Sequence, residues 1–355
     1  MKLLLVARRF PPDVQSGTET VFAHLYEEAR AAGHEVQLLA GFRRSSEGFP
    51  AGAEAVALHG GARDWATMAL AAERVARTFR PDVVLSNSIE VRVRGVPTVT
   101  IVHDLNFGAA GQGLGATARR LFYRAQAAGL ARIVAVSEVT RQALLGLGVA
   151  AEKVVTVHNG VDLNRFRPAP RPPDGEVHFV QVSRILPGKG QHCALDALGR
   201  MRPDQRKGLR LSLVGSVADP VYAEQLRVQS WNLPATLHLD VPDVVPFYQG
   251  ADVAIFPTRM PEGFGYAAIE AMACGLPVIT FDDPAVVEAT GGHAVVVPRD
   301  DVVALRDEML RLAQAPEQRR ELGGRGRAFV ERYRWSEAWR QYENVLAGAL
   351  PGGRP

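Results

Sequence analysis

Short apolar runs alternate with helix-like stretches along almost the whole chain, and this alternation restricts the folds that the sequence can adopt. The first run, Lys2–Ala7, leads through a loop that contains proline and glycine into a helical pattern over residues 18–32. Gly33 is typical of a helix end, and residues 35–40 are typical of the next strand. Repeated strand–helix units of this kind predict parallel sheets that are covered by helices on both faces.

The same alternation continues through both halves of the chain. In the first half it predicts helices at 63–79, 116–128 and 138–146 and strands at 82–85, 98–102, 132–136 and 153–157. In the second half it predicts strands at 177–182, 209–214, 236–239, 253–256, 277–280 and 294–297 and helices at 190–200, 219–231, 243–249 and 265–273. Two such series predict an α/β protein with two Rossmann-like doubly wound domains that face each other across a cleft.

A proline-rich segment separates the two series. Residues 165–174 contain four prolines, which excludes a helix or a central strand and favours a semi-rigid linker. A chain of 355 residues is also too long for one ordinary hydrophobic core. We therefore predict a first domain over residues 1–165 and a second over 166–330. An aromatic-rich helix within 331–355 either packs back on the first domain or is a plain terminal helix.

Composition excludes several classes of protein. The apolar fraction of 47% and the charged fraction of 22% are typical of a globular chain rather than a disordered or fibrous one. Cys193 and Cys274 lie in helix-like stretches, which favours buried thiols over a disulfide or a metal site. No apolar run approaches the ~18 residues of a spanning helix, and the first run is too short for a signal sequence. We therefore expect a cytoplasmic protein.

Positive charge is concentrated in the first predicted domain. Residues 1–165 hold 19 Lys and Arg against 15 Asp and Glu, a net charge of +4, whereas the whole chain carries +3 and the rest therefore −1. This asymmetry would suit an anionic lipid surface or a phosphorylated acceptor, but a difference of this size also arises by chance. A peripheral contact of the first domain with the inner face of a membrane is therefore an alternative. Nucleic acid is not expected, because no basic run is interleaved with aromatic residues.

The most informative segment of the sequence is residues 261–277. In it Glu262 precedes a turn bracketed by Gly263 and Gly265, and Glu270 follows within a predicted helix. A carboxylate beside an apolar helix face is unfavourable unless it binds something, and a pair of ribose hydroxyls would supply the partner. The turn presents backbone N–H groups at a helix N-terminus, which favours a phosphate. A lone glutamate on a helix is usually a solvated residue, but this spacing with both glycines favours a binding site.

Two cations follow the predicted strand at 177–182. Arg184 and Lys189 lie five residues apart in a chain that has only four lysines. A forked arginine and a compact lysine together suit a diphosphate. Open α/β sheets bind ligands at the carboxyl ends of their strands, which is where this pair is expected. The alternative is two solvated surface cations.

These motifs together resemble those of the retaining glycosyltransferases of family 4, which have the two-domain GT-B fold. The resemblance is carried by Asn-Gly-Val-Asp at 159–162, by Ser-Arg and Lys-Gly within 183–190, and by Pro-Glu-Gly-Phe-Gly with Glu-Ala-Met-Ala-Cys-Gly-Leu-Pro-Val within 261–278. It covers nearly the whole chain, and the motifs of the second half are highly specific.

The resemblance implies roles for the charged residues of the second domain. Arg184 and Lys189 would neutralise the diphosphate leaving group. Glu262 would contact hydroxyls of the transferred sugar, and Glu270 would hold the ribose.

Further contacts follow from the same resemblance. The backbone at Phe264 and Gly265 would contact the sugar or the phosphate, and His238 matches a position beside the base. In the first domain, His103 ends a predicted strand and matches a family histidine near the reacting carbon. A lone histidine at a strand end is otherwise more often structural.

Two loops of the first domain are also interpreted. Residues 11–19 resemble the family's glycine loop, which lies over the diphosphate; this chain has one glycine there where many relatives have two. Gly17 and Thr18 still stand at a helix N-terminus, where an anion is favoured. Residues 111–115 have the glycine spacing of a dinucleotide loop but do not follow a strand, so NAD is not expected. A mobile loop over 106–115 that touches the acceptor is the better interpretation.

The expected function is transfer of a hexose-type sugar from a UDP-, GDP- or ADP-sugar to a hydroxyl of a sugar, lipid-linked or small-molecule acceptor. Retention follows from the resemblance. We expect no cofactor and no metal, because no Asp-x-Asp triplet occurs and positive side chains would replace the cation. A donor phosphate oxygen would accept the acceptor's proton while His103 orients the site. The alternatives are a nucleotide-sugar epimerase and a non-catalytic nucleotide-sugar-binding protein.

Overall fold

The computed structural model of the protein describes residues 1–13, 17–61, 63–103, 114–170 and 175–352, and within 114–119 it describes the side chain of residue 117 alone. The loop predicted at 106–115 therefore lies almost wholly outside the described residues. Residues 14–16 of the predicted glycine loop and 171–174 of the predicted linker also lie outside them.

The chain divides into two compact units. Unit 1 comprises Met1–Gly160 together with Trp335–Pro355, and unit 2 comprises Val161–Arg334. The corresponding boundaries predicted from the sequence are residues 165 and 330. The last helix is a part of unit 1.

Unit 1 is built on a parallel sheet whose described strands run in the order β3-β2-β1-β4-β5-β6-β7. The strands are β1 (Lys2–Ala7), β2 (Glu35–Phe42), β3 (Glu54–Ala57), β4 (Val83–Ser86), β5 (Thr98–Val102), β6 (Arg132–Ala135) and β7 (Val154–Thr156). The first four helices are α1 (Gly17–Ala31), α2 (Arg63–Phe79), α3 (Leu114–Ala128) and α4 (Glu138–Gly146). Residues of β4 and β5 are buried throughout, because helices cover both faces of the sheet.

Unit 2 is built on a second parallel sheet, with its described strands in the order β10-β9-β8-β11-β12-β13. The strands are β8 (Val177–Val182), β9 (Leu209–Gly215), β10 (Ala235–Leu239), β11 (Val253–Phe256), β12 (Val278–Phe281) and β13 (Val295–Val297). The helices are α5 (Gln191–Gly199), α6 (Pro203–Arg206), α7 (Pro220–Ser230), α8 (Val245–Gln249), α9 (Tyr266–Ala273), α10 (Pro284–Thr290), α11 (Val302–Gln314) and α12 (Pro316–Val330), and α13 (Trp335–Ala349) follows in unit 1.

In each sheet the strand order reverses next to the first strand of the unit. The reversal falls between β1 and β4 in unit 1 and between β8 and β11 in unit 2. Loops at the carboxyl ends of the two strands diverge there and leave room for a ligand. The predicted fold class, two Rossmann-like domains built on parallel sheets, is confirmed.

The helix α12, which is rich in glycine, is not predicted from the sequence. Glycines lower helix propensity, but here they permit close packing on α9. A Cβ at Gly323 would lie 2.1 Å from the carbonyl oxygen of Gly275, and one at Gly326 would lie 3.0 Å from Cε of Met272. The helix is therefore held by contacts that its own sequence pattern does not indicate. The strand β3 and the helices α6, α10 and α11 were also missed.

The helix α13 packs against α1 and completes unit 1. The rings of His24 and Trp335 stack at 4.6 Å, and Nε2 of His34 lies 2.7 Å from Oε1 of Glu343. Trp339 and Tyr342 are buried on the same helix. Within the described part of the chain, no helix combines the length and the apolar character that crossing a bilayer requires.

Candidate functional site

The candidate site of unit 2 lies where the loops after β8 and β11 meet. Lys189 ends a 3-10 turn after β8, and Gly190, the N-cap of α5, has a left-handed conformation with φ of 73°. A Cβ at Gly190 would lie 1.9 Å from the carbonyl oxygen of Pro257, which follows β11. The backbone N–H groups of Arg259 and Met260 donate to the carbonyl oxygen of Gly188 at 2.8 and 3.0 Å. Backbone contacts therefore fix the two loops against each other.

This packing brings Lys189 and Glu262 together as an ion pair. Nζ of Lys189 lies 2.5 Å from Oε1 of Glu262, and each side chain is only 12% exposed. The hydroxyl of Thr258 donates to the same carboxylate oxygen at 2.8 Å. The resemblance implies that these two charged residues contact different parts of the donor, and the structure shows that they also bind each other. The pair is mostly desolvated, so removal of either partner would leave an uncompensated charge.

Arg184 differs from Lys189 in its surroundings. Its side chain is exposed, and no described residue forms a hydrogen bond or an ion pair with its guanidinium. Its carbonyl oxygen accepts from Nε2 of Gln191 at 2.8 Å, and Gln191 also donates to the hydroxyl of Ser183 at 3.0 Å. The side chain of Gln191 therefore holds the backbone of Arg184 and leaves its charge available to an anion.

Glu270 lies partly buried on α9 and is bound by a tyrosine that the sequence analysis missed. The hydroxyl of Tyr248 lies 3.2 Å from Oε2 of Glu270 and 3.1 Å from the carbonyl oxygen of Ala267. Burial raises the pKa of Glu270 to about 7, although the hydrogen bond from Tyr248 and the charge of Arg165 act in the opposite direction. The carboxyl group is therefore near its midpoint of ionisation at neutral pH.

A second buried carboxylate holds the segment that begins at Glu262. Oδ2 of Asp283 accepts from the backbone N–H of Glu262 at 3.3 Å and lies 3.2 Å from Nη2 of Arg299. Its other oxygen accepts from the N–H groups of Ala285 and Val286 and so caps α10. Asp before Pro is typical of a helix start, but no sequence pattern indicates the contact with Glu262.

The turn between the two glutamates presents its backbone rather than its side chains. Phe264 is buried, and its ring packs edge-on against Tyr266 and Tyr333 at 5.5 and 5.6 Å. Gly265 has φ of 91° and directly precedes α9. The backbone of Gly263, Phe264 and Gly265 therefore leads into the N-terminus of α9. A helix N-terminus favours an anion, and the anion site itself stays a prediction.

His238 lies near the carboxyl end of its strand, at the edge of the sheet from which the loops after β8 and β11 also start. It is a residue of β10, and its ring centroid lies 4.7 Å from that of Phe247. Burial lowers the pKa of His238. Phe247 precedes Tyr248 in α8, so this helix links His238 to Glu270.

The three candidate residues of unit 1 are His103, Gly17 and Thr18. His103 directly follows β5, and its ring lies 6.3 Å from that of Phe22. Burial lowers the pKa of His103 to about 4, so the imidazole is neutral at pH 7. Its Nε2 is buried without a hydrogen-bond partner among the residues that the structure describes. Gly17 and Thr18 are the first two residues of α1.

The described residues contain no group of three or more His, Cys, Asp and Glu side chains that could hold a metal ion. In the site of unit 2, Lys189 and Glu262 form an ion pair, Arg184 is exposed after the same strand as Lys189, and Glu270 follows Glu262 on α9. Such a set suits a ligand that is both anionic and rich in hydroxyls.

Two family models match the chain. The model for glycosyl transferases group 1 covers residues 163–329, and the model for glycosyltransferase family 4 covers residues 15–165. Together they cover every candidate residue and all the strands except β1. The chain belongs to the family 4 type of glycosyltransferases with the GT-B fold.

Curated relatives agree with this assignment. The D-inositol 3-phosphate glycosyltransferase of Streptomyces bingchenggensis is 30% identical over 234 residues, which are 58% of this chain and 50% of that protein. The glycogen synthase of Mycobacterium tuberculosis is 27% identical over 329 residues, 79% of this chain and 78% of that protein. The matched region spans about half the length of the first of these relatives.

Solved structures share the fold. Anabaena HepE in complex with UDP superposes with a TM-score of 0.81 at 18% identity and covers 98% of this chain and 100% of its own. A glycosyltransferase from Rickettsia africae superposes with a TM-score of 0.80 at 16% identity and covers 98% of each chain. At these identities the likeness establishes the fold alone.

Proposed function

We propose that the protein transfers a hexose-type sugar from a nucleoside-diphosphate sugar to an acceptor hydroxyl, with retention of the anomeric configuration and without a metal ion. The observation that carries the proposal is the Lys189–Glu262 ion pair beside the exposed Arg184 at the carboxyl end of β8. A diphosphate carries negative charge that these cations can neutralise, and the sugar carries hydroxyls that can donate hydrogen bonds to the carboxylates.

Departure of the nucleoside diphosphate is the step that the cations assist. Negative charge grows on the bridging oxygen as the sugar–oxygen bond breaks, and preorganised positive groups stabilise that charge. Arg184 supplies a forked donor and Lys189 a compact one. The helix N-terminus after Gly265 adds a partial positive charge.

Glu262 has two tasks in this scheme. It compensates the charge of Lys189, and when the donor binds it also accepts hydrogen bonds from hydroxyls of the transferred sugar. Lys189 has three N–H donors, so it can bind a phosphate oxygen and keep its bond to Glu262. The ion pair thus holds Lys189 in place before the diphosphate arrives.

Retention is proposed to follow from attack on the same face of the sugar that the diphosphate leaves. The acceptor oxygen forms the new bond to the anomeric carbon, its proton passes to a phosphate oxygen of the leaving group, and the sugar–phosphate bond breaks. His103, neutral at pH 7, would orient groups near the reacting carbon without supplying charge. Inverted product configuration would overturn this step.

The donor is identified by thermal stabilisation, since a ligand that binds only the folded state raises its melting temperature. UDP-, GDP- and ADP-sugars are compared, and the radiolabelled donor that stabilises the protein is then incubated with acceptor glycans and lipid extract. Transfer of label to an acceptor supports the proposal. Rearrangement of the donor alone would indicate an epimerase, and saturable binding without turnover would indicate a binding protein.

Donor affinity should rise as the pH is raised through neutrality, because Glu270 must be ionised to accept hydrogen bonds from two ribose hydroxyls. With a pKa of about 7, the ionised fraction grows from about one tenth at pH 6 to about nine tenths at pH 8, so affinity should rise about tenfold. The measurement is calorimetric titration with an intact nucleotide sugar, whose diphosphate does not titrate in this range. In Glu270→Gln the pH dependence should disappear, whereas Glu224→Gln, on the exposed face of α7, should retain it. An unchanged slope in Glu270→Gln would contradict the assignment.

Excess EDTA should leave the initial rate of transfer unchanged, because Arg184 and Lys189 provide the charge that a divalent cation provides elsewhere. The assay compares the rate before and after chelation and after addition of Mg²⁺ or Mn²⁺. A transfer rate that EDTA abolishes and that either ion restores would refute metal independence. It would not affect the assignment as a transferase.

A further inference from the structure

The side chain of Arg299 connects three loops at the carboxyl edge of the sheet of unit 2. Arg299 follows β13, and its Nε and Nη2 donate to the carbonyl oxygen of Asp282, directly after β12, at 3.3 and 3.0 Å. Its Nη1 donates to the carbonyl oxygen of Arg259, which follows β11, at 3.4 Å. Nη2 also lies 3.2 Å from Oδ2 of Asp283. One planar guanidinium therefore fixes these loops against one another, which the single ammonium group of a lysine could not do.

The carboxylate of Asp283 binds different groups with its two oxygens. Oδ2 faces Arg299 and accepts from the backbone N–H of Glu262 at 3.3 Å. Oδ1 accepts from the N–H groups of Ala285 and Val286 at 3.1 and 3.2 Å and caps α10. Asp283 is only 2% exposed, so a group that lost its partner here would find no water to replace it. One side chain therefore starts a helix and also holds the first residue of the turn of residues 262–265.

The far end of this turn is supported by the same helix. A Cβ at Gly265 would lie 3.0 Å from Cγ2 of Val286, which is the third residue of α10 and is fully buried. The turn therefore contacts α10 at Gly265 and the cap of α10 at Glu262. A displacement of Asp283 would change the support at both ends.

Charge also couples Asp283 to Glu262. Burial raises the pKa of Asp283, and the negative charge of Glu262 acts in the same direction, whereas the charge of Arg299 opposes both. The two carboxylates are therefore close enough to repel each other. Lys189 compensates Glu262, and Arg299 compensates Asp283. Loss of Arg299 would leave the repulsion between the carboxylates less compensated.

The residues assigned to the nucleotide part of the donor are held by other contacts. Gln191 holds the backbone of Arg184, and Tyr248 binds the carboxylate of Glu270. In the part of the chain that the structure describes, no hydrogen bond joins any of these four residues to the carboxylate of Asp283. A change at Asp283 should therefore alter the contact with the sugar and leave the contacts with the nucleotide unchanged.

We infer that Asp283 and Arg299 are positioning residues for the transfer, and that together they place Glu262 where its carboxylate meets the hydroxyls of the sugar. The inference rests on the proposed function, because it takes Glu262 as the residue that contacts the sugar. Neither positioning residue touches the donor. Their effect should appear in turnover and in affinity for the intact nucleotide sugar, and not in affinity for the nucleoside diphosphate.

Asp283→Asn tests the inference with almost no change in shape. Asparagine caps helices about as well as aspartate, so its amide oxygen can still accept from the N–H groups that start α10. Its amide nitrogen takes the place of Oδ2, and because it only donates, it neither accepts from Glu262 nor pairs with Arg299. Asp301→Asn is the matched control, because Asp301 caps α11 by accepting from the N–H of Ala304 at 2.8 Å.

The measurement is the calorimetric affinity of the full-length protein for three matched pairs of probes: UDP and UDP-glucose, GDP and GDP-mannose, and ADP and ADP-glucose. For the pair that binds the unmodified protein, Asp283→Asn should weaken binding of the nucleotide sugar about tenfold, the effect of losing one hydrogen bond to a charged group. Affinity for the nucleoside diphosphate should stay the same. Turnover should fall by about the same factor as nucleotide-sugar affinity or more, since Glu262 also contacts the sugar in the transition state.

Arg299→Met removes the other member of the pair and should reproduce these changes. The double variant should be no worse than either single variant, because both substitutions break the same connection. Arg311→Met is the control for the arginine. The side chain of Arg311 is 36% exposed, against 34% for Arg299, and its Nε donates to Oε2 of Glu308 on the same helix at 2.7 Å. This control should leave both affinities and turnover unchanged.

Amide hydrogen exchange gives a second readout, which requires no donor. In Asp283→Asn the amides of residues 262–265 should exchange about tenfold faster, whereas those of residues 287–290 in α10 should stay protected. Lost protection throughout α10 in both Asp283→Asn and Arg299→Met would show that the pair only stabilises the fold, which overturns the inference.

The outcomes separate the positioning role from the proposed function. Equal losses of affinity for the nucleoside diphosphate and the nucleotide sugar would make Asp283 a structural residue only, and unchanged affinity and turnover would exclude any role for it. Either result overturns the inference and leaves the protein a transferase. If none of the nucleotide sugars binds the unmodified protein, the proposed function fails, and the inference fails with it.

Discussion

Lys189→Ala should lower the turnover number about a hundred- to a thousandfold while changing donor affinity only a few fold. The ammonium group meets charge that grows only as the diphosphate leaves, so its contribution is larger in the transition state than in the ground state. Glu262 already compensates Lys189 before the donor binds, and this lowers the gain in ground-state binding.

This variant has a structural side effect that needs a control. Removal of Lys189 leaves the carboxylate of Glu262, which is 12% exposed, without its cation. The folded state should lose stability for that reason. The double variant Lys189→Met with Glu262→Gln removes both charges and should regain most of the lost melting temperature, but not the turnover. This separates the catalytic loss from the loss of stability.

The measurement is a steady-state assay with the donor that gives the largest thermal stabilisation, together with calorimetric affinity. Lys207→Ala is the matched control, because Lys207 is an exposed lysine of the same unit. Equal turnover in Lys189→Ala and Lys207→Ala would remove Lys189 from the mechanism. A loss explained wholly by weaker donor binding would make it a binding residue only.

Gly190→Ala should destabilise unit 2 by about 3 kcal/mol or more and abolish donor binding. Gly190 has φ of 73°, which is unfavourable for alanine, and its added Cβ would lie 1.9 Å from the carbonyl oxygen of Pro257. The loops after β8 and β11 would have to move apart. Because Lys189 is on one of them and Glu262 follows the other, the ion pair would be lost with them.

Gly208→Ala separates backbone conformation from steric clash. Gly208 has φ of 77°, and the nearest atom to an added Cβ lies 3.7 Å away, an ordinary contact. Its cost should therefore be only the conformational one, about 1–2 kcal/mol. Denaturant unfolding of both variants gives the difference. A Gly190→Ala protein as stable as Gly208→Ala would show that the two loops can separate without cost.

The sequence predicted the parallel sheets well because their inner strands are buried on both faces and appear as apolar runs, as Leu3–Leu5 of β1 shows. The strand β3 was missed for the opposite reason. Its four residues, Glu54–Ala57, are mostly exposed at the edge of the sheet, and the apolar residues after Glu54 are mostly alanines, which favour strands weakly. Pairing with the preceding strand β2 defines this strand, and its own residues indicate that pairing only weakly.

For the site, the sequence indicated which residues follow the ends of strands but not which of them touch. Glu262 and Glu270 share one segment, so their spacing was visible. The partners that hold them, Lys189 and Tyr248, come from other loops, and Asp283 reaches Glu262 through the backbone. Such contacts depend on how loops pack after the sheet has formed, and no periodic pattern records them.

The two ends of unit 2 lie side by side. The N–H of Val161 donates to the carbonyl oxygen of Tyr333 at 2.7 Å, and Val161 also forms a parallel bridge with Arg334. Unit 2 is therefore an insertion in the chain of unit 1, between Gly160 and Trp335, and its first and last residues are neighbours. Exchange of unit 2 for the corresponding unit of a relative would therefore need only two neighbouring joints, whereas shortening the chain from its C-terminus removes α13 and affects unit 1 first.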